Sequence, residues 1–340
     1  MSTRAESSGT AARKSAANAG TLITPTLLRN WPLPSAGADK YSRGAVLVVG
    51  GGRRTPGAVL LAGTAALRAG AGRVTLAVAE SVAVQLAVTL PEAGVIGLPE
   101  AAGGSVGDAG LKDLLEDYDS ADVVLIGPGL DDIGQTEALL RGLLKHDASR
   151  ESGDAPTLVL DAYALGALPR LADKLSPWAG RLILTPNPTE AGILLDHSAD
   201  DLAADTLEIA GKYGAVVSCQ GVIASPSAAG TSGAGNSDGG PSDGGTPDGA
   251  SLDGASPTTG EHWEITTGYG GLGTSGSGDI LAGAIAGLRA RGTSNAQAAC
   301  WGTHLHAAAG DRLASRVGSL GYLARELADE LPALMMELAT

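Results

Sequence analysis

The stretch Thr267 to Asp279 packs six glycines into thirteen residues and ends on a carboxylate, and the apolar run Ile280 to Leu288 follows directly. Glycine gives up more backbone freedom on folding than any other residue, so such a stretch does not build a packed element; it allows a turn whose amides approach a ligand closely. The run behind it has helical character. Gly276, Ser277 and Gly278 are therefore expected to present N–H groups at a helix N-terminus, where orphan donors and the helix dipole bind anions. Asp279 has two readings, as a residue that caps the first turn or as a general base beside a phosphate site.

A second candidate is Asn187-Pro-Thr-Glu190, beyond the apolar run Arg181 to Leu184. A carboxylate beside an amide at a strand end suits a hydrated Mg²⁺, and the prolines stiffen the turn. An Asx-type turn with a solvated Glu190 accounts for the same residues. Asp161, after Thr157 to Leu160, is either a ligand or a strand-end cap.

The elements that carry these residues repeat one theme. Ala45 to Val49 is an apolar run ending in three glycines, the pattern of a strand buried on both faces of a parallel sheet. Pro56 opens a helix over Gly57–Ala69, and Arg73 to Val78 is the next strand, which completes a βαβ unit. Further strands are expected at Val123–Ile126, Thr157–Leu160, Arg181–Leu184, Ala215–Ser218 and His262–Thr266. Helices are expected at Val82–Val88, Thr136–Leu144, Asn295–Val317 and Tyr322–Leu338, the last broken or restarted at Pro332. Chemistry in open α/β sheets collects at the carboxyl ends of strands. Those ends carry Gly50–Gly52, Gly127–Gly129, Asp161, Asn187 with Glu190, and the glycine stretch, which together outline one site.

Residues 225–260 break the theme: almost wholly Gly, Ser, Asp, Pro, Ala and Thr, they are expected to be a disordered insertion that lengthens a hairpin turn. Residues 1–20 read as a disordered tail, and 21–340 as a single domain. The 44% apolar content supports a large core, but without Phe it must be built from Ala, Val, Leu and Ile. A net charge of −14 argues against a nucleic-acid partner. The absence of a long apolar run argues against a membrane, and of a secretory h-region for the cytoplasm. Cys219 and Cys300 are too few for a disulfide framework or a zinc site. His304 and His306 stand two apart on a helix, a spacing that diverges the rings, so they read as a packed or surface pair. Gly268, Gly270 and Gly273 match the dinucleotide fingerprint in the wrong context, and Ala58 stands where a P-loop needs Lys.

From about Leu22 to Leu338, less the insertion, the chain resembles the ADP-dependent NAD(P)H-hydrate dehydratases of the ribokinase-like superfamily. The resemblance is carried by Lys40 to Gly51, Pro56-Gly-Ala58, Ala65 to Gly72, Ile126-Gly-Pro-Gly-Leu130, Leu184 to Glu190, Gly276 to Gly283 and Leu305-His306. It implies a three-layer α/β/α sandwich with a mostly parallel central sheet. It also implies a repair activity: ADP phosphorylates the hydroxyl of the (S)-epimer of NADHX or NADPHX, and loss of phosphate restores the reduced nicotinamide. Asp279 would then be the base, with the amides of Gly276, Ser277 and Gly278 stabilising the transferred phosphoryl group. By the same resemblance the hydrate falls on Ala58, Gly129, Asn187 and Asp279, and AMP on Gln220, Gly221, Val222, Ile223, Ala224 and Gly278. Mg²⁺ would be held through water by Glu190, and the assembly would be a homo-oligomer, a tetramer. Three positions depart from the family's pattern: Asn187 replaces a usual His, Gln220 a usual Lys, and Ser277 a usual Thr. Asn187 with Glu190 is instead similar to the Asn-x-x-Glu of ribokinase-like kinases of vitamin-precursor alcohols or sugars, which is the alternative activity. The Lys40 to Gly72 block resembles the dehydratases and not those kinases. With the usual Lys and His missing, a nucleotide-binding regulator or inactive relative is a third reading.

Overall fold

All five residues of the strand β2 (Ala45–Val49) are buried, and their alternation assigns them to two different cores. Val46 and Val48 point into one layer of helices, Leu47 and Val49 into the other. This is the environment that a continuous apolar run requires, and it recurs in every central strand. The computed structural model describes residues 20–35, 37, 39–150, 155–226, 260–268 and 270–339. The expected tail at 1–20, apart from Gly20, and positions 227–259 of the expected insertion lie outside the described residues.

In chain order the first half runs β1 (Thr21–Ile23), α1 (Pro25–Asn30), β2, α2 (Gly57–Arg68), β3 (Arg73–Ala79), α3 (Glu80–Thr89), β4 (Gly94–Leu98), α4 (Leu111–Ser120), β5 (Val123–Ile126), α5 (Ile133–Ala148), β6 (Thr157–Leu160) and α6 (Tyr163–Ala167). The second half runs β7 (Leu182–Leu184), α7 (Pro188–Leu195), α8 (Leu202–Tyr213), β8 (Val216–Cys219), β9 (Val222–Ala224), β10 (His262–Ile265), α9 (Ser277–Ala290), α10 (Asn295–Val317) and α11 (Ala324–Ala339). The strands form one sheet in the order β1-β10-β9-β8-β7-β6-β5-β2-β3-β4, parallel except where β9 pairs with β8 and β10. Helices α2, α9, α10 and α11 pack on one face and α4 to α8 on the other, giving three layers.

β2 lies between β3 and β5. The chain leaves β2 for α2 on one face and leaves β5 for α5 on the opposite face. Such a reversal opens a crevice at the carboxyl ends of the two strands, where ligands bind in open α/β sheets. The glycine triplets after β2 and β5 sit at that point. All the strand ends that the sequence assigns to one site lie on this edge, because β2, β5, β6, β7, β8 and β10 run the same way.

Helix α9 is fixed by close backbone contact. A Cβ on Gly283 would collide with the carbonyl of Ala62, and one on Gly287 with that of Ala66, so α9 lies directly on α2. Pro332 does not break the last helix as expected. It lies inside α11, where Leu327, Leu331, Leu334 and Leu338 are all buried, and that anchoring outweighs the roughly 3 kcal/mol an interior proline costs. Three strands (β1, β4 and β9) and several helices (α1, α4, α6, α7 and α8) were not expected from the sequence.

The segment outside the described residues joins β9 to β10, whose antiparallel register is Ala224↔His262, Ile223↔Trp263 and Val222↔Glu264. The Ser225 amide donates to the Glu261 carbonyl at 2.9 Å, so the two ends already sit one hairpin turn apart. Replacing 227–259 by a short turn is expected to leave the melting temperature within roughly 4 °C of wild type, about 1 kcal/mol for a chain of this size. A larger fall in a thermal scan would contradict this.

Candidate active site

The two glycine turns at the switch point are zipped together by their backbones. Gly51 donates to the Pro128 carbonyl and Gly52 to that of Gly129, each at 2.8 Å, and Thr55 Oγ1 also donates to Gly129 at 2.8 Å. A side chain at Gly50 would strike the Pro128 carbonyl, and Gly129 stands at φ +70°, so glycine is required at both. A Cβ on Gly129 would lie 3.1 Å from that of Ala58, so these two expected hydrate residues are neighbours.

Three carboxylates gather along the same edge. Asp161 ends β6 and is buried, accepting from Thr185 Oγ1 at 2.8 Å. Burial pushes its carboxyl up to about 7, against the pull of the Thr185 bond and with the push of Glu190. Ala162 beside it holds φ +49°, a conformation costing a non-glycine residue about 1–3 kcal/mol. Asp279, in the first turn of α9, is likewise pushed up to about 7, by burial first and by Asp161 second. Both therefore exchange protons near neutral pH, the range a general base needs.

Glu190 and Asn187 form a reciprocal capping box at the start of α7. Asn187 Oδ1 accepts from the Glu190 amide at 3.0 Å, and Glu190 Oε2 accepts from the Asn187 amide at 2.9 Å. The local cap was written in the sequence as Asn, Pro, and Glu three positions on. Burial raises the Glu190 pKa, while the Asn187 amide opposes the rise. The cap leaves Glu190 one carboxylate oxygen. No group of three or more His, Cys, Asp or Glu gathers as a metal cage among the described residues. This donor set fits a water-shelled Mg²⁺ carried mainly by substrate phosphates, and not an all-protein site.

The N-terminus of α9 differs from expectation at one amide. Gly276 is the N-cap, at φ +89° and with no side-chain cap. The Ser277 amide already donates to the Thr274 carbonyl at 3.1 Å, so it is not available to an anion. The amides of Gly276 and Gly278 have no protein acceptor among the described residues. Gly278 is exposed, and a Cβ there would meet nothing within 4 Å, so no packing inside the chain calls for glycine. Glycine there leaves the backbone open to close approach.

The expected nucleotide segment folds as a turn followed by a strand. Gln220 and Gly221, at φ +44° and +87°, form the two-residue turn between β8 and β9 at the site edge. Val222, Ile223 and Ala224 are buried in β9, which runs away from that edge, because the turn reverses the chain. Their side chains belong to the cores. His304 and His306 are both buried, as a packed pair should be, and His306 Nε2 lies 2.8 Å from Ser277 Oγ. That contact was invisible in sequence, as were the pairing of Asp161 with Thr185 and its coupling to Asp279.

Gly278→Ala tests whether a ligand uses this position. The variant is expected to melt at or slightly above wild type, since alanine is favoured over glycine in a helix by about 1 kcal/mol. Its turnover is expected to fall. Unchanged turnover would show that nothing approaches the Gly278 backbone.

A model of the NAD(P)H-hydrate dehydratase family matches residues 46–248 and 253–333. An ADP-dependent (S)-NAD(P)H-hydrate dehydratase from Xanthomonas campestris pv. campestris is 41% identical over 320 residues, covering 92% of this chain and 95% of that protein. Among solved structures, a ribokinase-like superfamily protein from Enterococcus faecalis V583 superposes with a TM-score of 0.71 at 22% identity, over 94% of this chain and 96% of its own. An ADP/ATP-dependent NAD(P)H-hydrate dehydratase from Bacillus subtilis, co-crystallised with ATP and Mg²⁺, superposes with a TM-score of 0.67 at 24% identity, over 94% and 99%. At these identities the superpositions establish the ribokinase-like fold, while the family model and the Xanthomonas relative extend along nearly the whole chain: it belongs to the NAD(P)H-hydrate dehydratase family.

Proposed function

We propose that this chain dehydrates the (S)-epimers of NADHX and NADPHX at the expense of ADP, releasing AMP and phosphate. The observation that carries the reading is the start of α9, where two amides without an acceptor among the described residues flank a bolted Ser277 and a partly buried carboxylate follows. The identity to the Xanthomonas dehydratase along the chain supports it over a vitamin-precursor or sugar kinase.

In this reading the ring hydroxyl of the hydrate lies against Asp279. As that oxygen attacks the β-phosphorus of ADP, its proton passes to the Asp279 carboxylate and the bond to the AMP oxygen breaks. The Gly276 and Gly278 amides, aligned with the positive end of α9, take the charge on the migrating phosphoryl oxygens. With the new O–P bond formed, the ring's own C–O bond then breaks to release phosphate, the adjoining ring carbon gives up a proton, and the reduced nicotinamide returns. Ala58 and Gly129, which are neighbours, would face the hydrate together with Asn187. Gln220 and Gly221 would touch the nucleotide from the β8–β9 turn. Magnesium, with Glu190 holding it through water, would supply further positive charge to the phosphates. We take the described chain to act as one catalytic unit in an oligomer of the cytoplasm; among the described residues no helix is long and apolar enough to cross a membrane.

The direct test mixes the protein with NADHX, Mg²⁺ and either ADP or ATP and follows recovery of absorbance from the reduced nicotinamide. Recovery that depends on ADP is expected, and no recovery with either nucleotide would overturn the proposal. Asp279→Asn is expected to leave ADP affinity within a few-fold and to lower turnover by roughly 10²-fold or more. Near-wild-type turnover would remove Asp279 from its role. The same variant has a stability signature. Asp279 is raised from 3.8 to about 7 in the folded protein, so its contribution to stability is whole below the ordinary carboxylate range and is lost as pH rises toward 7. The melting temperature of Asp279→Asn relative to wild type is therefore expected to rise between pH 4 and 7 and to level off above. A difference independent of pH would contradict the burial of this charge.

A further inference from the structure

We propose that His306 is a positioning residue for the phosphoryl-binding turn: by holding Ser277 Oγ it fixes the first turn of α9 so that the amides on either side face the ligand. The inference rests on the dehydratase reading and adds a residue to it. His306 and Ser277 are both buried, at 7% and 4% exposure, and their 2.8 Å contact joins α10 to the start of α9. Ser277 is thus tied twice, through its amide to Thr274 and through its hydroxyl to His306. Gly276 has no side chain with which to cap the helix, so no other described side chain bonds this turn. Bolting the middle residue leaves the two outer amides open.

The rest of the same face of α10 holds the neighbouring parts of the site. Thr303 Oγ1 lies 2.7 Å from Ser218 Oγ in β8, just before the Gln220 turn. Asp311 Oδ2 accepts from the Gly268 amide at 2.7 Å, and a Cβ on Gly268 would lie 2.9 Å from that of Ala307. Positions 303, 306, 307 and 311 recur at three- and four-residue spacing, one stripe of a helix. α10 is in effect a template to which β8, the glycine stretch and α9 are each attached. Burial pushes the His306 pKa down to about 4, so the ring is neutral and works by hydrogen bonding and not as a cation for phosphate.

The test compares His306→Leu, His306→Gln, Ser277→Ala and the double variant His306→Leu/Ser277→Ala. His306→Leu is expected to lower kcat roughly 10- to 100-fold, the effect of a sub-ångström to 1 Å misplacement, with the KM for ADP changed by no more than about threefold. His306→Gln, whose amide can still reach the hydroxyl, should recover most of that loss. Ser277→Ala should resemble His306→Leu, and the double variant should be no slower than the slower single one, because both remove the same contact. Wild-type kcat in His306→Leu, or effects that multiply in the double variant, would overturn the proposal. A second readout needs no turnover: the ¹⁵N resonance of His306 Nε2, assigned by its loss in His306→Gln, should move in Ser277→Ala. An unmoved resonance would also overturn it. Absence of dehydratase activity in the wild type would instead sink the functional reading, and leave the resonance to decide the contact.

Discussion

The backbone of α9 lies directly on that of α2, with Gly283 over Ala62 and Gly287 over Ala66 and no room for a methyl group between them. Everything at the site follows from that contact. α2 is the crossover that leaves β2, so pressing α9 onto it sets the start of α9 at the edge where β2 and β5 part. A helix end displaced outward by one side chain would carry Gly278 and Asp279 away from the paired glycine turns. Small residues along both helices thus act as a spacing device, and explain why the core is rich in alanine and lacks the bulk that phenylalanine would bring.

The site itself runs against the rules that the rest of the chain obeys. Asp161 and Asp279 are carboxylates held where burial disfavours their charge, Ala162 sits in a strained conformation, and α9 begins on a glycine that cannot cap it. Each of these destabilises the fold by an amount that the two apolar layers must offset. Such departures, gathered on one strand edge, are what a site that handles phosphate and moves a proton near neutral pH would require. The third carboxylate, Glu190, is more conventional, because half of its hydrogen-bonding capacity closes the cap of α7.

The central strands were legible because burial on both faces leaves an unbroken apolar run, as in β2, β5 and β6. The glycine turns and the helix start at Ser277 were legible because only glycine meets their steric demands. β4 was not: it is a half-exposed edge strand with two glycines, and its residues carry no clean alternation. β9 was missed because a non-glycine residue, Gln220, takes the left-handed position in its turn. The segment Gln220 to Ala224, one run in the sequence, therefore folds as a turn and a buried strand. Helix α8 left signals that went unread, with Asp201 as its N-cap and Gly214 at its C-terminus. Contacts across the fold, such as His306 with Ser277, depend on how α10 crosses α9, and local spacing holds no record of that.

The most direct measurement is a crystal structure of the protein with AMP and aluminium fluoride as a mimic of the phosphoryl group in flight. The account predicts the fluoride ligands within hydrogen-bonding distance of the Gly276 and Gly278 amides, with an Asp279 oxygen facing the open apical position. A mimic bound elsewhere on the strand edge, or an Asp279 carboxylate turned back toward Asp161, would contradict it.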